Sequence, residues 1–282
     1  MKPIFAVDVS LDKKNEVVNG KEFITRSISE ETKRAYDRKA EGLDNTISKA
    51  KLPVWMTIVK FVCTIVAVAV FAGLVRAGDV EMALTNAPGL ITAGVICAVV
   101  ALAIHLYSKS KEKTVLKEEN AEEQLNNINA DIRVIYDELA VPQGARSVDV
   151  LMFRYIEKDG KIKVKTAPMQ MSEYIALEVK AYVSDGCLNI ADLENVYSFP
   201  LEKIKAIRTV RKRSSFSPWN KENAPTENMY KNHGLTVDQY GMIHMKYYYT
   251  IVIEQEGEEH LIYFPTHEID VFEKLTGLWA QG

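Results

Sequence analysis

The residues best suited to chemistry lie in "NVYSFPLEKIKAIRTVRKRSSF", Asn195 to Phe216, which begins as an apolar strand and its turn and runs into Arg208, Arg211, Lys212 and Arg213. A strand through Arg213 would alternate its side chains, with Arg211 and Arg213 on one face and Arg208 and Lys212 on the other. The burst therefore has three readings: a solvated sheet edge, a contact for a protein partner, and a contact for anionic lipid. Just beyond it, "SSFSPWNKENAPTENMY" sets Trp219 and Lys221 among Ser, Pro and Asn, where no core periodicity accounts for an indole. Exposed aromatics beside cations are frequent interface anchors, and connections beyond about 12 residues tend to be functional or disordered. This segment is where a partner is expected to dock, the alternative being a disordered loop whose Trp219 folds back on the sheet.

Nothing in the sequence points to catalysis. The histidines are scattered, and His244, His260 and His267 fall in or beside strands without metal-ligand spacing. No Gly-rich phosphate loop, Ser nucleophile elbow or zinc motif occurs. Cys187 would need a nearby imidazole to act as a nucleophile, and a buried structural thiol is much commoner. In "DVSLDKKN" the acidic residues do not alternate and no glutamate closes a calcium loop, so it reads as a turn. The expectation is a non-enzyme with no catalytic residues, no metal and no cofactor.

The elements that must position these residues follow from an uneven apolar distribution along 282 residues. Net charge is -3, and no whole domain is strongly basic, which argues against nucleic acid as a partner. Cys63 and Cys97 fall in apolar segments and Cys187 in the C-terminal part, so no disulfide framework is suggested and a reducing compartment fits. The dense runs are "VWMTIVKFVCTIVAVAVFAGLV", Val54 to Val75, and "GLITAGVICAVVALAIHLY", Gly89 to Tyr107. Each reaches the ~20 apolar residues that a bilayer-crossing helix needs, the first interrupted once at Lys60, and neither has a polar face. About fifty hydrophilic residues precede the first run, so it does not read as a cleaved signal peptide.

Arg38, Lys39, Lys49 and Lys51 precede the first span and Lys109, Lys111, Lys113 and Lys117 follow the second, whereas Arg76 is the one basic residue of the connection. By the positive-inside rule both termini are expected in the cytoplasm of a two-span protein of the cell membrane. Ala69 with Gly73, Gly94 with Ala98 and Cys97 with Ala101 offer small residues for close helix contact. Lys60 is shallow enough to snorkel to the headgroups and has no acidic partner in either span; His105 reads as an interfacial side chain. Cys63 and Cys97 lie at similar depths, where they could face each other as small packing residues without any metal.

Leu125, Ile128, Ile132, Ile135 and Leu139 step by three and four, the seam of a coiled coil that Pro142 and Gly144 end. Tyr36, Ala40, Leu43, Ile47 and Ala50 form a matching series, with Pro53 marking the start of the membrane segment. The two segments can pair antiparallel within one chain or join copies of it. A straight helix from Ser108 to Ala140 would be ~50 Å long, which holds the following domain well beyond a Debye length of ~8 Å from lipid.

The ends of the chain read as strands. "FAVDVSLDKKNEVVNGKEFITRSI" alternates around a turn at Asn19-Gly20, and so small a hairpin is expected to join the C-terminal sheet. From Ser147 onward "VDVLMFRYIEKDGKIKVKT" is a hairpin about Asp159-Gly160, "EYIALEVKAYV" is a strand, and Glu256-Gly257 separates two more. The chain closes with "THEIDVFEKLTGL", a helix with Thr266 as N-cap and Ile269, Phe272 and Leu275 on one face.

That order, and "YSFPLEKIKAI" with Phe199, Pro200, Leu201, Ile204 and Ile207 in particular, resembles the pleckstrin-homology-like (bPH/GRAM-like) domains of bacterial membrane proteins. The resemblance covers about half the chain and implies a small antiparallel barrel or bent sheet plugged by a C-terminal helix, a binding or assembly module and not a catalyst. The expected organisation is an α+β membrane protein: an N-terminal β-hairpin over 1–27, a cytoplasmic helix over 28–52, spans over 53–76 and 89–107 joined by an external loop over 77–88, a stalk helix over 108–141, and the PH-like β domain over 145–282. The expected function is that of a membrane-tethered interaction or adaptor module with a protein partner or self-association. The alternatives are a sensor of anionic lipid and a homo-oligomeric membrane assembly.

Overall fold

The computed structural model describes residues 2–8, 20–77, 88–158, 161–165, 173–218, 232–238 and 241–281. The chain is a mixed helix-and-sheet protein that divides into two units, Glu31–Ile132 and Met1–Glu30 with Arg133–Gly282.

The first unit is helical. Helix α1 (Glu30–Ala50) stops ahead of Pro53, whose ring disfavours helical backbone at the residue before it. Helix α2 (Val54–Ala77) and helix α3 (Pro88–Glu118) are both long and apolar enough to cross a membrane, and most of their apolar side chains are exposed, including Trp55, Phe61, Val68, Leu102 and Leu106. They pack closely where Gly94 meets Val70: a Cβ on Gly94 would fall 2.7 Å from Val70 Cγ1, so only glycine permits this approach. Gly73, expected at a helix contact, has open space where its Cβ would be and faces away. Cys63 and Cys97 are free, half-buried thiols.

The expected straight stalk is interrupted. Helix α3 ends at Glu118, Asn120 takes φ 50°, and helix α4 runs over Ala121–Glu138. Asparagine tolerates the left-handed region better than most residues, and Gln124 Nε2 donates to the freed Glu119 carbonyl at 2.7 Å. Between α1 and α4, Lys39 pairs with Asp131 at 2.7 Å, and Lys49 pairs with Glu119, just before α4, at 2.8 Å. The partner number falls as the α1 number rises, so the two segments run antiparallel within one chain.

The second unit holds fifteen strands among the described residues. Three come from the N-terminus: β1 (Lys2–Pro3), β2 (Ala6–Asp8) and β3 (Ile24–Ser27). The rest are β4 (Arg146–Lys158), β5 (Lys161–Lys165), β6 (Tyr174–Ser184), β7 (Cys187–Ala191), β8 (Asn195–Pro200), β9 (Ile204–Val210), β10 (Ser214–Pro218), β11 (Leu235–Val237), β12 (Ile243–Met245), β13 (Tyr248–Gln255), β14 (Glu258–Phe264) and β15 (Ala280–Gln281). One sheet has the order β1-β14-β13-β9-β15; the other runs β11-β12-β10-β6-β7-β8-β3, with β4 also on β6 and carrying β2 and β5. The Glu256-Gly257 turn takes positive φ at both residues, 53° and 78°, as a two-residue hairpin turn requires. The Asp159-Gly160 turn lies outside the described residues.

The N-terminal strands join the C-terminal sheets, though not as a hairpin. β1 lies parallel to β14, β2 parallel to β4 and β3 antiparallel to β8, and among the described residues none of the three pairs with another. Main-chain partners on three separate strands satisfy more of the short segments' N–H and C=O groups than a lone hairpin would.

Between the sheets lies a core of Val148, Val150, Val179, Leu188, Phe199, Ile207, Ile251, Ile262 and Phe264, closed by helix α5 (Ile269–Thr276) through buried Phe272 with Ile269 and Leu275 beside it. Thr266 does not cap α5. A one-turn 3-10 helix over Thr266–Glu268 precedes α5, and Thr266 Oγ1 donates to the His233 carbonyl at 2.9 Å.

Candidate functional site

Strand β9 stops at Val210, so Arg211, Lys212 and Arg213 occupy a link between β9 and β10 and the strict alternation expected of a longer strand does not apply. Two of the four cations are neutralised nearby. Arg208 pairs with Glu259 at 3.0 Å, and Lys212 pairs with Glu173 at 3.0 Å, a carboxylate that also accepts from Ser214 Oγ at 2.7 Å. Arg211 and Arg213 are exposed and have no ion pair among the described residues. The register Ser214↔Met245 between β10 and β12 sets Arg213 beside Lys246, an exposed cation that the sequence did not single out because its partner strand lies across an intervening segment. Arg213, Ser214, Ser215, Thr236, His244 and Lys246 line a pocket of about 500 Å³ whose polar wall is completed by Glu173. His244 Nε2 is 3.1 Å from Asp238 Oδ2. Trp219 and Lys221 lie outside the described residues.

A second convergence involves no residue of the basic burst. His267 Nε2 lies 3.4 Å from Asp149 Oδ2 and 3.3 Å from Glu268 Oε1. Glu268 Oε1 also accepts the Asp149 backbone N–H at 3.0 Å, which ties the turn ahead of α5 to β4. The imidazole is buried, stacks on Phe216 at 6.3 Å, and leaves Nδ1 without a hydrogen-bond partner. Burial alone would lower its pKa; the neighbouring carboxylates of Asp149 and Glu268 outweigh burial and hold it up at about 9. The sequence expectation of no metal-ligand spacing concerned neighbours along the chain, and Asp149 is 119 residues from Glu268. Only the fold brings them together.

The remaining buried polar groups serve the core. Tyr174 and Tyr248 share a hydroxyl-to-hydroxyl hydrogen bond of 3.0 Å beneath Phe153 and Tyr263, and burial pushes both phenols up. His260 packs edge-on against Phe23, and Glu22 stands 3.4 Å from its Nδ1 without hydrogen-bonding geometry.

Comparison with protein-family models, with curated proteins and with solved structures finds no match to this chain.

Proposed function

We propose that the protein is a membrane-tethered cytoplasmic interaction module without catalytic activity, in which a pleckstrin-homology-like β unit meets an acidic protein partner. The observation that carries this reading is the pair of exposed cations Arg213 and Lys246 on an open pocket, with exposed Arg211 two residues along the same link and no carboxylate paired to the three among the described residues. Arginine and lysine placed this way favour carboxylate groups of a partner and speed its approach. Anchorage is supported by α2 and α3, whose apolar side chains point outward on all sides and would be costly to leave in water. The basic flanks support a cytoplasmic placement of the β unit and of both ends of the given sequence. A sheet core plugged by α5 supports the PH-like reading of the β unit.

A second reading is contact with an anionic lipid surface, for which the exposed cations Arg211 and Arg213 supply the charge. Proximity labelling in cells tests the first reading. Joint reversal of Arg211→Glu, Arg213→Glu and Lys246→Glu should remove a distinct set of labelled neighbours that Arg208→Glu retains, because Arg208 is already engaged by Glu259. An unchanged set would overturn the partner reading. Protection of the 211–213 amides from exchange in anionic but not zwitterionic nanodiscs would favour lipid instead.

A further inference from the structure

We propose that Asp149, His267 and Glu268 form a binding site for one divalent transition-metal cation such as Zn²⁺, with His267 Nε2 and one oxygen of each carboxylate as ligands. Their donor atoms all lie within 4.8 Å of one another. One imidazole with two carboxylates is a borderline donor set that suits Zn²⁺, Co²⁺ or Ni²⁺, whereas Ca²⁺ and Mg²⁺ favour oxygen alone.

The spacing carries the argument furthest. A charge-assisted N–H···O⁻ bond closes to about 2.7–2.9 Å, and both gaps from His267 Nε2, 3.4 Å and 3.3 Å, are wider. Ligands about 2.0–2.1 Å from a tetrahedral cation stand about 3.3–3.4 Å apart. The geometry is that of two ligand-to-ligand edges better than that of two hydrogen bonds.

The donors are also held in advance. Glu268 is oriented by the Asp149 N–H, and His267 by stacking on Phe216 and by the Thr266 bond to the His233 carbonyl next to it. An outer shell of this kind fixes a ligand before the metal arrives. The His267 side chain is only 4% exposed, while Asp149 and Glu268 keep 14% and 12%, so the carboxylates open the cluster to solvent and the imidazole closes its floor. A cation at this position joins β4 to the turn that leads into α5, and a fourth ligand position remains for water.

The test uses the full chain in detergent, free of any polyhistidine tag and stripped with chelator, titrated with Co²⁺ and then Zn²⁺. One equivalent of Co²⁺ should give the strong visible bands of a tetrahedral centre, and Zn²⁺ should displace it. The near-isosteric Asp149→Asn and Glu268→Gln, each with a wild-type melting curve in chelator, should bind at least about 100-fold more weakly, since even outer-shell changes cost 10–100-fold. Absence of saturable binding at millimolar metal would overturn the site and leave an ion triad only. Unaltered affinity in both variants, or a near-ultraviolet sulfur-to-cobalt band that assigns the metal to thiols, would overturn it as well.

Discussion

Lys60 Nζ and His105 Nδ1 stand 3.2 Å apart across the α2–α3 pair, so these two side chains of the apolar hairpin are partners. The hydrogen bond couples two side chains that the sequence presents singly. In the proposed bilayer setting, His105→Leu strands the Lys60 ammonium, while the double change with Lys60→Leu removes both groups. The single change should lower the resistance of the hairpin to SDS unfolding by about 0.6–2 kcal/mol, and the double should restore much of it. Equal loss in the two variants would show that the pair is not coupled.

Gly94 against Val70 is the closest approach of the same helices. Gly94→Ala forces a methyl to within 2.7 Å of Val70 Cγ1 and should cost about 1–3 kcal/mol in the same assay. Adding Val70→Ala frees that space and should recover part of the loss, whereas Gly73→Ala, with nothing within 4 Å, should be nearly neutral.

Ala140 ends α4 in the left-handed region at φ 51°, with the Val141 N–H bonded to the Tyr136 carbonyl at 2.8 Å. This is the helix-ending arrangement in which glycine is preferred. Ala140→Gly should stabilise the chain by up to about 1 kcal/mol in thermal or denaturant unfolding. A loss of stability would mean that backbone freedom in the unfolded chain outweighs relief at Ala140.

His260 supplies a pH dependence. Burial is the main cause that lowers its pKa from the ordinary 6.5, with the Glu22 carboxylate pulling the other way. A depressed imidazole contributes stability that is full above the ordinary value and is lost as pH falls through the folded one. Melting temperature should therefore fall between about pH 7 and about pH 5, and fall less steeply in His260→Gln. Parallel curves for the two proteins would remove His260 as the cause.

Where a signal is local, the sequence was a sufficient guide. The apolar runs became α2 and α3, Glu256-Gly257 became a turn with positive φ at both residues, and Ile269, Phe272 and Leu275 became the inner face of α5. Where the answer depends on which distant segment fills an edge, residue types said little. Lys2 and Pro3 carry no mark that assigns them to β14, and Asp149 is an ordinary strand residue until the α5 turn arrives beside it. Asn120 was overlooked because the apolar steps of the seam continue past it, while the break is a matter of one backbone angle. Of the basic burst, the residue types were legible but their neutralisation was not, because Glu259 comes from β14 and Glu173 from the bend just ahead of β6.

The placement of β1 also sets an order of events during synthesis. Lys2 and Pro3 are made long before their partners His260 and Leu261, which lie 258 residues further along the chain. At ribosomal speeds of about 5–20 residues per second the first strand waits about 10–50 s for its place. Both apolar helices are made during that interval, while the β unit is still incomplete. A nascent chain stalled before β14 lacks the strand that receives β1, leaving apolar Ile4 and Phe5 without their final core and available to a chaperone or protease. Closure of this sheet thus reports that translation has passed residue 261.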